Sequence, residues 1–376
     1  MESKNKIDTA VDIWIERKNA DDRQSARVED YRKATLRKWL FIIICAALAF
    51  AIAGLSISIG DYHVSFADVY GYVWKHISGN VDASDINEVR ADYAIWDLRM
   101  PRAIAGIIVG VALGASGAVM QSILRNPLAD PYTTGISSGA SFGASLAMSM
   151  GITVAGLGYA IVVNAFVFAL IPMLVIMLVA KIKGASPTVM IMAGIAIMYI
   201  FNAMTTIIKL GADPDTLSAI YNWSVGSIDG ISWDAIDIML AVTIVGCICL
   251  QLLAKRLNVI STGDETAKSM GVNAETLRLI GLLIVSLMSA AVVSFTGLIG
   301  FIGLVCPHIA RLVIGSDNRY LIPASGAFGA ALLLTADCIG RLLISGVTIQ
   351  VGVITAFIGA PLFLYLIVKQ NSRAFE

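Results

Sequence analysis

Charge is what this sequence has least of. Only 14% of its 376 residues are Asp, Glu, Lys or Arg, against about 25% in an average soluble domain, and 57% are apolar. That balance excludes a soluble globular chain. Lys+Arg and Asp+Glu stand at 27 each, which excludes a polybasic nucleic-acid binder, because phosphate backbones demand a cationic excess. Catalytic signatures are missing as well. There is no G-x-x-x-x-G-K-[ST] to cradle nucleotide phosphates, no H-E-x-x-H zinc pair and no G-x-S-x-G nucleophile turn. His63, His76 and His308 lie far apart in sequence, and His308, behind Pro307, is expected to be a satisfied structural residue. Cys45, Cys247, Cys249, Cys306 and Cys338 fall in apolar runs without CxxC spacing, so they read as small buried apolar residues. No enzyme active site, resident metal or cofactor is expected.

What the sequence has in abundance is long apolar runs. A spanning helix needs roughly 20 apolar residues, and ten candidates stand out: 39–59, 102–124, 133–151, 155–180, 187–209, 231–254, 277–296, 298–314, 321–345 and 350–368. The third and eighth are short and rich in Gly and Ser. The first follows a charged stretch and is too long for a signal-peptide core, so it is expected to remain as a span. Residues 1–38, with 10 basic and 8 acidic side chains, form a charged N-terminal tail; residues 39–376 form the membrane domain. With the tail inside, the internal stretches hold 19 Lys or Arg and the external loops three, Lys75, Arg90 and Arg99. The positive-inside rule then puts both termini in the cytoplasm, in a cell membrane crossed many times. Two external stretches are long enough for structure. Residues 66–77 predict a short interfacial helix anchored by Trp74. Asp213 before Pro214 predicts a capped helix ending near Gly226.

Charge inside the membrane is expensive and commonly functional. Asp337 is the one carboxylate well inside an apolar run, and Arg341, one helical turn on, is placed to neutralise it. Gly106, Gly110, Gly114 and Gly117 line one face of the second segment, and Gly297, Gly300 and Gly303 mark the start of the eighth, a pattern that lets helices approach closely. Between the sixth and seventh segments, Thr262 and Glu265 have capping-box spacing. A short helix is predicted from 263 to a stop at Gly271, with Asn273 capping the next helix. Such a stiff turn, presenting Asp264, Glu265 and Lys268, suits a docking site better than a passive linker.

Several multi-residue stretches then resemble one family, in order over residues 98–368. Arg99-Met100-Pro101-Arg102 is similar to the L-R-x-P-R opening of the iron-siderophore, haem and cobalamin ABC importer permeases, the FecCD family. The run from Gly114 to Gln121, followed by Asn126-Pro127-Leu128-Ala129-Asp130-Pro131, resembles its G-x-x-x-Q…N-P-L-A-x-P signature. Gly300 to His308 resembles G-F-I-G-L-x-x-P-H, Ala336-Asp337 with Arg341-Leu342 resembles A-D-x-x-x-R, and Gly359-Ala360-Pro361 with Phe363 resembles the last helix.

The resemblance implies an all-α polytopic membrane protein of ten transmembrane helices, an ABC type II importer permease. It implies a homodimer with the path at its axis, two cytoplasmic ATP-binding subunits, and an external substrate-binding protein that delivers a bulky metal chelate. Siderophore-bound iron is the first expectation, then haem, then cobalamin. Thr262, Gly263, Asp264, Glu265, Lys268, Met270 and Gly271 would couple to the ATPase. Arg99, Arg102 and Arg341 would either anchor at the interface or grip carboxylates of the binding protein. The gate position would be held by Ser186-Pro187-Thr188, where the proline departs from the family's polar stretch. The alternative function is an ion-coupled secondary carrier, which the scarcity of buried carboxylates disfavours.

Overall fold

The computed structural model describes residues 2–60, 64–154, 159–344 and 346–369; within these, side chains are described from Glu29 onward, apart from residues 66, 67, 366, 367 and 369. Each apolar run becomes helix, because only a backbone bonded within itself survives in hydrocarbon. In chain order the helices are α1 (Glu2–Ser58), the short α2 (Phe66–Ser78) and α3 (Ile86–Tyr93), then α4 (Met100–Ile123), α5 (Ile136–Met150), α6 (Ala160–Lys183), α7 (Pro187–Gly211), the short α8 (Pro214–Val225), α9 (Trp233–Ile260), the short α10 (Asp264–Ser269), α11 (Ala274–Thr296), α12 (Ile302–Ile314), α13 (Asn318–Leu342) and α14 (Val351–Lys369). No β-strand occurs among the described residues. The molecule is an all-α polytopic membrane protein.

Among the described residues, seven of these elements are long and apolar enough to cross a bilayer; α5 and α12, of 15 and 13 residues, are shorter. The difference has a physical reason. At about 1.5 Å per residue, the 13 residues of α12 fall short of the ~30 Å hydrocarbon core. Irregular backbone precedes both α5 and α12, and it is sheltered inside protein. A side chain at Gly303 would lie 3.0 Å from Pro131 and 3.3 Å from the Leu113 carbonyl. The loop after α4 therefore doubles back alongside that helix. Its amides are satisfied locally: Asn126 Oδ1 accepts from Leu128 N and Asp130 Oδ1 from Thr133 N, both at 2.9 Å. The N-P-L-A-D-P run is thus a self-capped re-entrant loop.

The short helices follow their local signals. Asp213 caps α8 by accepting from the Asp215 and Thr216 amides, with Pro214 at the first helical position and Gly226 at φ 81° ending it. The sequence reading missed α3 and the π-helical turn Ala94–Arg99 that joins it directly to α4. These polar residues carry no apolar period; their anchor is tertiary. Trp96 stacks on His76 at 4.0 Å and its carbonyl accepts from Trp233 Nε1 at 3.1 Å. No break in α1 occurs at residue 38.

α4 is the interior helix, buried over most of its length, and α13 is its main partner. The expected glycine face makes that contact. A Cβ at Gly110 or Gly114 would meet α13 backbone at 2.5 or 2.2 Å, and one at Gly117 would meet the Gly303 carbonyl at 1.8 Å. Gly300 differs, with nothing within 4 Å. Gly117→Ala should therefore force α4 and α12 apart and lower the stability of the detergent-solubilised protein by about 1–3 kcal/mol. Gly300→Ala should leave the thermal midpoint nearly unchanged. Equal midpoints for the two variants would contradict the packing.

Candidate functional site

Charged side chains gather at the two opposite ends of the bundle. At one end the centre is Arg278, in the first turns of α11 and fully buried. Its guanidinium fork reaches three separate elements. Nε donates to the Ile123 carbonyl at 2.9 Å, closing the end of α4. Nη1 donates to the Ala185 carbonyl at 3.3 Å, immediately before α7. Nη1 and Nη2 together hold the Asp264 carboxylate at 2.9 and 2.5 Å, on α10. Arg125 stands 3.6 Å from the same carboxylate. The Arg278 hydrogen bond, then its charge, holds the Asp264 carboxyl below its ordinary range.

The turn between α9 and α11 is stiff for a different reason than its capping-box spacing indicates. The Thr262 hydroxyl donates to the Val259 carbonyl at 2.8 Å, so it is committed to the last turn of α9. Gly263, at φ 120°, precedes α10 and offers no side-chain cap. Thr262 and Glu265 form no capping box. The helix is fixed instead by Asp264 on Arg278 and by Gly271, at φ 78°, where the chain reverses. Asn273 caps α11 as expected, accepting from Thr276 N at 3.1 Å. Glu265, Lys268 and Met270 remain exposed.

Beside this turn lies Ser186-Pro187-Thr188. Ser186 Oγ accepts from Val189 N at 3.3 Å and caps α7. Pro187 occupies the first helical position, where its missing N–H costs no hydrogen bond. The proline starts a helix here. Through Ala185, Arg278 joins this start of α7 to the α10 turn.

At the opposite end the centre is Asp337, 1% exposed. Arg102 approaches it with Nε and Nη2 at 3.0 and 2.9 Å, and Arg341 with Nη2 at 2.9 Å. The expected helical pair is therefore a triad. Arg102 also binds the exposed Asp229 at 2.6 Å. Arg341 donates to the Ser56 and Ile59 carbonyls at 2.9 and 2.8 Å, and to the Ser56 hydroxyl; Arg99 donates to the Ile57 carbonyl at 3.0 Å. The sequence placed these arginines on the surface, but Arg99 and Arg102 are 7% and 8% exposed. Their guanidiniums turn inward because the end of α1 offers unpaired carbonyls and α13 a buried carboxylate.

Between the two ends, Tyr132 clamps the non-helical stretch before α12. Its hydroxyl donates to the Ile299 carbonyl at 3.0 Å and accepts from Ile299 N at 3.2 Å. His308 departs from expectation: it is buried, it packs edge-on against Phe363, and neither ring nitrogen has a hydrogen-bond partner among the described residues. Sequence reading missed Arg278, Asp229 and Tyr132. Arg278 left a signal, a lone guanidinium one residue inside the seventh apolar run. Asp229 left none, since its role depends on the approach of Arg102.

This arrangement can be compared with known proteins. Residues 43–369 match the model of the FecCD transport family. The chain belongs to that family. A protein of Methanocaldococcus jannaschii named as an ABC transporter permease is 42% identical over 92% of this chain and 99% of its own length. A cobalamin import permease of Halobacterium salinarum is 37% identical over 56% of each chain. A solved structure, described as an inward-facing conformation of a metal-chelate type ABC transporter, superposes with a TM-score of 0.76 at 28% identity, covering 87% of this chain and 98% of that one. Other relatives are named for haemin and ferric hydroxamate import. This FecCD chain is accordingly a membrane permease of the metal-chelate, siderophore, haem or cobalamin ABC importer type.

In this permease, Asp337→Ala would leave the buried Arg341 without its countercharge and Arg102 with only the exposed Asp229. We expect a loss of about 3–5 kcal/mol, read as a large drop in thermal midpoint. Asp229→Asn, at an exposed carboxylate, should cost no more than about 1 kcal/mol. Similar effects from both would remove the triad from its central place at this end.

Proposed function

We propose that this chain is the translocating subunit of an importer for siderophore-bound iron, working as a homodimer with the path at the dimer axis. Haem and cobalamin are the next substrates. An external substrate-binding protein delivers the chelate at the Asp337 end, where Arg99, Arg102 and Arg341, bonded inward, hold in place the helix ends that form the docking surface. Two separate ATP-binding subunits seat against the turn from Thr262 to Gly271 at the opposite end, and their ATP hydrolysis drives transport. Both termini, with the charged tail 1–38, then lie in the cytoplasm. Ser186-Pro187-Thr188 forms the inner gate.

One observation carries this reading: a single buried guanidinium bonds the exposed α10 turn, the end of α4 and the backbone before Ser186. A push on the turn has a rigid route to the start of α7. The ion-coupled alternative loses ground for a matching reason. Asp337, its best carboxylate, is held between two arginines and is poorly suited to bind and release an ion.

The test is Asp264→Asn, in permease reconstituted with its ATPase and binding protein. Substrate-stimulated ATP hydrolysis should fall severalfold while the assembled complex stays intact on size exclusion. Unchanged stimulation would remove the coupling role. The pH dependence follows from the lowered carboxyl. The Asp264–Arg278 bond contributes above the ordinary carboxylate value, about 4, and goes only as pH falls through the lower folded value. Stimulation should therefore show no loss from this bond between pH 7 and about 5.

A further inference from the structure

A groove of about 1020 Å³ opens on the outside of the bundle, walled by α1 and α9 and floored by α4 and α13. Its floor is deep because the residues there are small: Ala115 on α4, and Gly326, Ala327 and Ala330 on α13. Its rim is polar at one end only. Lys255 near the end of α9, and Arg319 and Tyr320 at the start of α13, close the end nearest Arg278. Lys38 reaches over the Tyr320 ring at 4.9 Å, and Trp39 packs edge-on against that ring. Arg319 is already bound to Asp317 at 2.6 Å. Lys255 is exposed, and it has no ion-pair or hydrogen-bond partner among the described residues.

The dimensions identify an occupant. From Arg319 to Ala330 the floor runs 11 residues along α13, about 16 Å at 1.5 Å per residue. The wall from Trp39 to Phe50 on α1 has the same length. That is half of the ~30 Å hydrocarbon core, the depth of one leaflet and too little for a spanning helix of a partner. Cations and aromatic rings at the mouth, over an apolar trough one leaflet deep, match a phosphate headgroup above acyl chains. The contrast within the molecule is informative. A second outer groove, between α6, α9 and α11, is lined by Phe166, Val245, Met288 and other uncharged residues; it has nothing to select a headgroup.

We propose that the α1–α9 groove is a binding site for one anionic glycerophospholipid per chain. Its phosphate sits between Lys255 and Lys38, and its acyl chains lie over the Gly326–Ala330 floor. A bound lipid would bridge α1 to α9, filling the trough that separates them.

Native mass spectrometry of the full-length, detergent-purified protein tests this with phosphatidylglycerol and phosphatidylcholine of identical chains. One phosphatidylglycerol per chain should be retained in preference to phosphatidylcholine. Lys38→Glu combined with Lys255→Glu should weaken that retention by on the order of thirtyfold, from two lost basic contacts. Ala46→Trp, which fills the trough from its exposed α1 side, should abolish retention without changing headgroup charge. Equal retention of both lipids, or unchanged phosphatidylglycerol retention in either variant, would overturn the site. A change of oligomeric state in Ala46→Trp, with lipid retention unaffected, would make the groove a subunit contact and equally dismiss the lipid.

Discussion

The buried guanidinium of Arg278 is the constraint on which the rest of one membrane end depends. A fully desolvated charge is costly unless it is paired and its donors are spent. This one spends them on Ile123, Ala185 and Asp264, three groups far apart in sequence. Each would otherwise be a loose end: the last turn of α4, the backbone before α7 and the short helix α10. Satisfying the arginine brings the three together. The α10 turn is stiff because its carboxylate cannot leave without stranding a buried cation.

The opposite end repeats the device with the signs reversed. Here the buried group is the Asp337 carboxylate, and Arg102 and Arg341 reach it from two helices. Arg341, with Arg99 beside it, also binds carbonyls at the end of α1. Between the ends the bundle gives up helical regularity at two places, the loop after α4 and the stretch before α12. Tyr132 joins them by bonding both the amide and the carbonyl of Ile299. Irregular backbone at this depth is tolerated only where protein shelters it. The close glycine contacts of α4 with α13 and of Gly117 with Gly303 provide that shelter.

Much of this was legible in the sequence, and the reasons differ by element. The ten apolar runs all became helices because hydrocarbon leaves few alternatives. Asp213-Pro214 and Asn273 marked helix starts correctly because capping is local chemistry. Gly110, Gly114 and Gly117 announced close packing because little else fits so near another backbone. Thr262 misled because a hydroxyl has two nearby uses, the carbonyl behind it and the amide ahead, and spacing alone does not choose between them. Arg99 and Arg102 look like surface groups in the sequence because their partners, the end of α1 and Asp337, are distant along the chain, whereas the Arg341–Asp337 pair, one helical turn apart, is legible. Arg278 shows in the sequence only as a lone guanidinium at the edge of the seventh apolar run, and its importance comes from the groups that fold around it.

The central claim is that the exposed α10 turn and the start of α7 are one mechanical unit joined through Arg278. Hydrogen exchange at the Val189 and Met190 amides, both bonded to Ser186, measures this most directly when Asp264 is replaced by Asn in the membrane-reconstituted protein. The account predicts faster exchange at these two amides, with α13 amides near Ala330 unchanged as the internal reference. Identical exchange at Val189 and Met190 in both proteins would contradict it.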